Sequence, residues 1–151
     1  MTWQNPPPLK PDPPKKGKKI TPEQIAASGS EHGSQAALFA WAADNVGKYP
    51  QLKYMFAIPN GGLRDVRTAA NLKAEGVKAG VPDIFLPCPA PSYFKVSYAG
   101  LFIEMKVGKN KTTSEQVDYI YHLKSADYYC VVCYSWTDAA NSIIAYLEGK
   151  L

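Results

Sequence analysis

The sequence predicts an α/β fold, a single domain in which helices flank a mixed β-sheet. Three observations carry that expectation. Stretches with helical spacing alternate along the chain with short apolar runs of strand character. Two capping boxes, Thr21-Pro22-Glu23-Gln24 and Thr113-Ser114-Glu115-Gln116, mark helix starts. At 151 residues and 46% hydrophobic, the chain holds material for one good core and not for a second domain.

Residues 1–20 are rich in proline and lysine, with Trp3 as the only large aromatic. Such a segment buries too little surface to offset its ordering entropy, so it reads as a flexible basic arm ahead of a domain spanning 21–151. Five lysines against Asp12 give the arm the whole formal net charge of +4, and the rest of the chain is balanced. Phosphate binding by the body must therefore come from local clusters, not a global field. The arm itself is either a solvated tail or a strap adding phosphate contacts.

After the first box, Gly29 breaks a short helix, and Ser30 caps a longer one from about Glu31 to Val46. Glu31, Gln35, Leu38 and Ala42 share a face of it, so the apolar stripe runs on into two polar residues at the N-terminal end. Glu31 is either a first-turn acid favoured by the helix dipole or part of a site. Lys53 to Ile58 reads as a strand, closed by Pro59-Asn60-Gly61-Gly62. These glycines form a tight turn, or their amides hold a phosphate beside Arg64. Leu63 to Gly76 reads as helical and carries Arg64, Arg67 and Lys73.

The candidate site lies on the next two runs. In Leu101-Phe102-Ile103-Glu104-Met105-Lys106, alternation puts Leu101, Ile103 and Met105 on one face, and Phe102, Glu104 and Lys106 on the other. Asp83 opens the preceding apolar run, Ile84-Phe85-Leu86. If the runs pair antiparallel, Asp83 falls beside Glu104 with Lys106 nearby. Two acids and a lysine at a sheet edge suit a divalent metal and a phosphate.

Gly108-Lys109-Asn110-Lys111 follows as a basic loop leaving that edge, either solvated or touching phosphate. Gln116, in the second capping box, already has a structural role there. Tyr128 to Tyr134 reads as a buried strand, and Thr137 starts a last helix packed through Ala140, Ile143, Ile144 and Leu147.

Several function classes lack support. Cys130 and Cys133 match C-x-x-C, yet three positions along a strand put them on opposite faces, which disfavours a shared zinc. His32 and His122 stand without a metal-ligand pattern. No phosphate-cradling G-x-x-x-x-G-K-S/T loop and no G-x-S-x-G elbow occur. No apolar run approaches the ~20 residues of a membrane span, and the N-terminus lacks a signal-peptide core. With three cysteines and no disulfide framework, a cytoplasmic protein is expected.

Gly80-Val81-Pro82-Asp83 followed by Ile103-Glu104-Met105-Lys106 resembles the PD-(D/E)xK nuclease superfamily. Three further stretches, Ser30-Glu31-His32 with Gln35, Ala57 to Gly62, and Leu72 to Gly80, make the chain similar to the VRR-NUC family, the virus-type replication–repair nuclease domain of phages and bacteria. The match spans about residues 28–148. Two features depart from the family pattern: a long, proline-rich stretch between Asp83 and Glu104, and a serine in place of the usual proline before Glu115.

The resemblance implies a restriction-endonuclease-like fold and a metal-dependent DNA endonuclease, acting as a homodimer on branched DNA such as four-way (Holliday) junctions, in the host cytoplasm if phage-encoded. By position it implies that Asp83, Glu104 and the Met105 carbonyl bind Mg²⁺ or Mn²⁺, that Glu31 completes the metal site, that Lys106 is the catalytic lysine and that Gln116 positions. Arg64, Lys73, Lys109 and Lys111 are the candidate DNA contacts. The alternatives are a non-catalytic DNA-binding or assembly module of the same fold, and a sequence-specific restriction-type enzyme.

Overall fold

A computed structural model describes residues 19–59, 66–91 and 97–151. Helix α1 (Pro22–Ala26) starts at its capping box, where Thr21 Oγ1 accepts the Gln24 N–H and the Gln24 side chain returns to the Thr21 N–H at 2.9 Å. Helix α2 (Glu31–Asn45) is capped by Ser30, whose Oγ accepts the Gly33 N–H at 3.0 Å. Beyond it the chain departs from the expected strand over Lys53–Ile58. Pro50 opens a 3-10 turn through Tyr54, and only Phe56–Ala57 forms strand β1. Proline's fixed φ favours that turn, and Leu52 and Met55 reach the core from it.

Helix α3 covers Val66–Ala74, ending two residues before the expected Gly76, and the expected start at Leu63 lies outside the described residues. Strands β2 (Ile84–Leu86) and β3 (Leu101–Met105) are followed by α4 (Ser114–Ser125), β4 (Tyr129–Cys133) and α5 (Trp136–Leu147). Ser135 caps α5, one helical residue ahead of Thr137, because its Oγ accepts the Asp138 N–H.

The sheet order is β1-β2-β3-β4, with β1–β2 and β2–β3 antiparallel and β3–β4 parallel. Ile84 pairs with Ile103 and Leu86 with Leu101. On one face Ile84, Leu86, Leu101, Ile103 and Met105 are at most 1% exposed, packed in one core with Leu38 and Ala42 of α2 and Ala140 and Ile143 of α5. Full burial of each such side chain is worth roughly 1.5–3 kcal/mol, so this layer dominates the fold.

The opposite face starts as an aromatic row. Phe85 stacks on Phe102 at 4.2 Å, and Phe56 and Tyr128 meet Phe85 edge-on. Two residues along β3 the same face turns polar, at Glu104, and then at Lys106. Helix α4 packs against β4 through its buried Leu123. Among the described residues, no helix is long and apolar enough to cross a membrane. Cys130 and Cys133 are buried free thiols, and burial pushes both up to about 11.

Candidate active site

The antiparallel register of β2 and β3 sets Asp83 beside the end of β3. Asp83 Oδ2 accepts the Met105 N–H at 2.8 Å, so the carboxylate is fastened to the neighbouring strand's backbone. Glu104 on that strand and Lys106, the residue just past its end, form a buried ion pair with Nζ–Oε1 of 2.7 Å. Glu104 is 1% exposed and Lys106 7%.

Helix α4 supplies the next contact. Its second capping box forms, with Gln116 Oε1 accepting the Thr113 N–H at 2.8 Å. The other end of the same amide, Nε2, donates to Glu104 Oε1 in a short contact. Among the described residues, both of Glu104's hydrogen bonds fall on Oε1, and the buried Oε2 has no partner. Gly80 lets α4 come this close. Its φ is +86°, and a Cβ there would stand 2.6 Å from the Glu115 carbonyl carbon.

Asp83, Glu104, Lys106 and Gln116 line a cleft of about 450 Å³, with Glu31 of α2 on its wall. Asn110 Nδ2 donates to Glu31 Oε1 at 3.1 Å, which ties the loop after β3 to the start of α2. The sequence reading missed Asn110 because it weighed that loop for its lysines. Its place between two of them was the available signal.

Burial first, then the charges of Asp83 and Glu31, push the Glu104 carboxyl up to about 7, although Lys106 pulls it down. Burial also raises Asp83, against the lowering effect of the Met105 N–H and Lys106. For Lys106, burial acts downward. The hydrogen bond and charge of Glu104, with Glu31 and Asp83, outweigh it and hold the ammonium above its ordinary value. The protonated state of Lys106 is thus favoured.

Of the expected metal ligands, Glu31, Asp83 and Glu104 line one cleft, though not as a closed cage, while Met105 is not among its lining residues. Among the described residues, no three His, Cys, Asp and Glu side chains stand close enough to hold an ion between them. Hard oxygens on two neighbouring strands, one of them buried and unpartnered, nevertheless fit Mg²⁺, which commonly takes one or two carboxylates and keeps several waters. The expected DNA-contacting cations are more dispersed. Lys73, Lys109 and Lys111 are exposed and do not line the cleft, and Arg64, like Asn60 to Gly62, lies outside the described residues.

No protein-family model and no curated protein matches the sequence. A solved structure described as a "VRR_NUC domain protein" does match. It superposes with a TM-score of 0.64 at 27% identity, over 79% of this chain and 88% of that one. The chain carries a VRR-NUC domain of restriction-endonuclease-like α/β fold, and thus a domain of a nuclease family.

Proposed function

We propose that the domain is a metal-dependent endonuclease that hydrolyses DNA phosphodiester bonds, with branched DNA as its preferred substrate and a homodimer as its working form. The observation that carries the chemistry is the unpartnered Glu104 Oε2, buried beside Asp83 and Lys106 in one cleft. An acid oxygen left without a donor is costly in a folded chain, and a cation offsets that cost.

Asp83, Glu104 and the Met105 carbonyl would hold Mg²⁺ or Mn²⁺, with Glu31 on the same cleft's wall as the acid completing the site. When bound, the ion supplies charge neutralisation at the phosphate and acidifies a water. The chain's own residues do the rest. Lys106, kept protonated by its acidic neighbours, donates to the phosphate or to the departing oxygen as charge builds there. Gln116 and Lys106 together fix the Glu104 carboxylate in one orientation. The Met105 N–H does the same for Asp83. A two-fold dimer suits a junction with two opposed scissile strands.

The test is a cleavage panel of four-way junction, flap, single-stranded and linear DNA, with Mg²⁺ or Mn²⁺. Junction cleavage that vanishes in Asp83→Ala, Glu104→Ala and Lys106→Ala, while DNA binding persists, is the expected result. Undiminished cutting by those variants, or binding without cutting by the native chain, overturns the catalytic reading. Discrete cuts at one recurring duplex sequence overturn the preference for branches.

A further inference from the structure

A second cavity, of about 320 Å³, adjoins the cleft and shares Val81 with it. Ile58, Val77, Val81 and Tyr119 give it apolar walls, and Lys78 and Glu75 stand at its margin. We propose that this cavity receives one unstacked nucleobase of the strand being cut, from the nucleotide next to the scissile phosphate. The proposal rests on the nuclease reading and names what that reading leaves open, namely the feature of DNA that the domain selects.

Three placements support it. The Ile58 N–H donates to the Asp83 carbonyl at 2.7 Å, so the cavity's wall is bonded directly to a residue of the catalytic cleft. Tyr119 follows Gln116 by three positions on α4, so one helix face presents an amide to the cleft and an aromatic ring to the cavity. The volume lies at the small end of the roughly 300–1,000 Å³ of pockets that take small organic ligands. It admits one heterocycle and not a duplex.

The chemistry suits a base. Unpaired bases are commonly bound by stacking on aromatic side chains, a contact that tolerates any sequence. Lys78 is placed to meet the phosphate backbone, and Glu75 can accept from an exocyclic amine. A nucleotide leaves its stack most cheaply where pairing is already broken, as at a branch point. The cavity would therefore convert a preference for unpaired nucleotides into a preference for branches.

The experiment is a cycle between Tyr119 and the base, read as binding affinity in a Glu104→Gln background that cannot cut. Junctions carry either the normal nucleotide or an abasic one, on each side of the scissile phosphate in turn. Tyr119→Ala is expected to weaken binding of the normal junction roughly tenfold, and to change nothing on the junction abasic at the relevant position. Tyr119→Phe should restore the difference, and Tyr119→Leu, which keeps the helix filled, should not. Equal losses on normal and abasic DNA, or no loss on either, overturn the proposal. So does a Tyr119→Ala chain whose only change is in oligomeric state, which would make the ring a contact between copies. Cleavage by the native chain is scored separately, so a failed nuclease reading and a failed base cavity give different results.

Discussion

Gln116 and Glu104 are joined through an amide that serves two structures at once. Its oxygen can only accept, and it accepts from the Thr113 N–H; its nitrogen can only donate, and it donates to the Glu104 carboxylate. The start of α4 and the orientation of the buried acid are therefore one arrangement. A side chain that capping alone would explain also positions a candidate metal ligand.

Replacing Gln116 by alanine should therefore act twice. Loss of its reciprocal capping-box hydrogen bond to the Thr113 N–H is expected to cost about 0.5–1.5 kcal/mol of stability. Loss of the brace on Glu104 should lower metal affinity or cleavage by roughly 10–100-fold. Thermal melting and a Mg²⁺ titration of cleavage measure the two separately. Melting that falls while cleavage stays native would reduce Gln116 to a cap.

The raised Glu104 pKa fixes the sign of a pH effect in the metal-free protein. The folded carboxyl titrates at about 7 against an ordinary 4.5. Its stabilising contribution is thus full below pH 4.5 and is lost as pH rises to about 7. The size is of the order of 1–3 kcal/mol. Glu104→Gln removes that titration while leaving a constant penalty for the unpaired Lys106. The melting difference between the variant and the native chain should therefore move in glutamine's favour by several degrees between pH 5 and pH 8. A flat difference across that range contradicts the assignment.

Mg²⁺ or Mn²⁺ should raise the melting temperature of the native chain at pH 8, by the equivalent of about 1.4 kcal/mol for each tenfold excess over its dissociation constant. Chelator should reverse the shift, and Asp83→Ala should abolish it. A native chain whose melting is indifferent to millimolar Mg²⁺ and Mn²⁺ has no such site.

Gly80→Ala tests the close approach of α4. With φ at +86° and the Glu115 carbonyl in the way, alanine must either strain the backbone by about 1–3 kcal/mol or push the helix off. The expected outcome is lower melting together with impaired cleavage. Gly29→Ala makes the control, because its φ is also positive but nothing stands within 4 Å. It should lower melting only. If both variants cleave alike, the approach of α4 to Gly80 has no bearing on the site.

Much of this was legible in the chain itself. Alternation along Leu101–Lys106 places Glu104 and Lys106 on one face, and the structure supplies the condition that the sequence left open, an antiparallel pairing of the two apolar runs that brings Asp83 to Met105. Both capping boxes formed where their residues stood. The failures came where local pattern competes with turn chemistry. Tyr54, Phe56 and Ile58 alternate as a strand would, yet Pro50 winds the preceding residues into a 3-10 turn and leaves two residues of sheet. The tie from Asn110 to Glu31 and the place of Tyr119 in the neighbouring cavity were not legible from periodicity, because no repeat ties either residue to the strands. Only the packing of α2 and α4 around the sheet edge brings them in.

The connection between β2 and β3, residues 87–100, is too long to set their alignment as a tight hairpin turn does. What holds the strands in step is the matching of Ile84 with Ile103 and Leu86 with Leu101, together with the bond from the Met105 N–H to Asp83. A slip of one position would swing Glu104 and Lys106 into the apolar layer and take Asp83 away from both. Misthreaded copies of this chain would thus lose the clustered acids and lysine together with their stability, so the cleft and the core stand or fall as one.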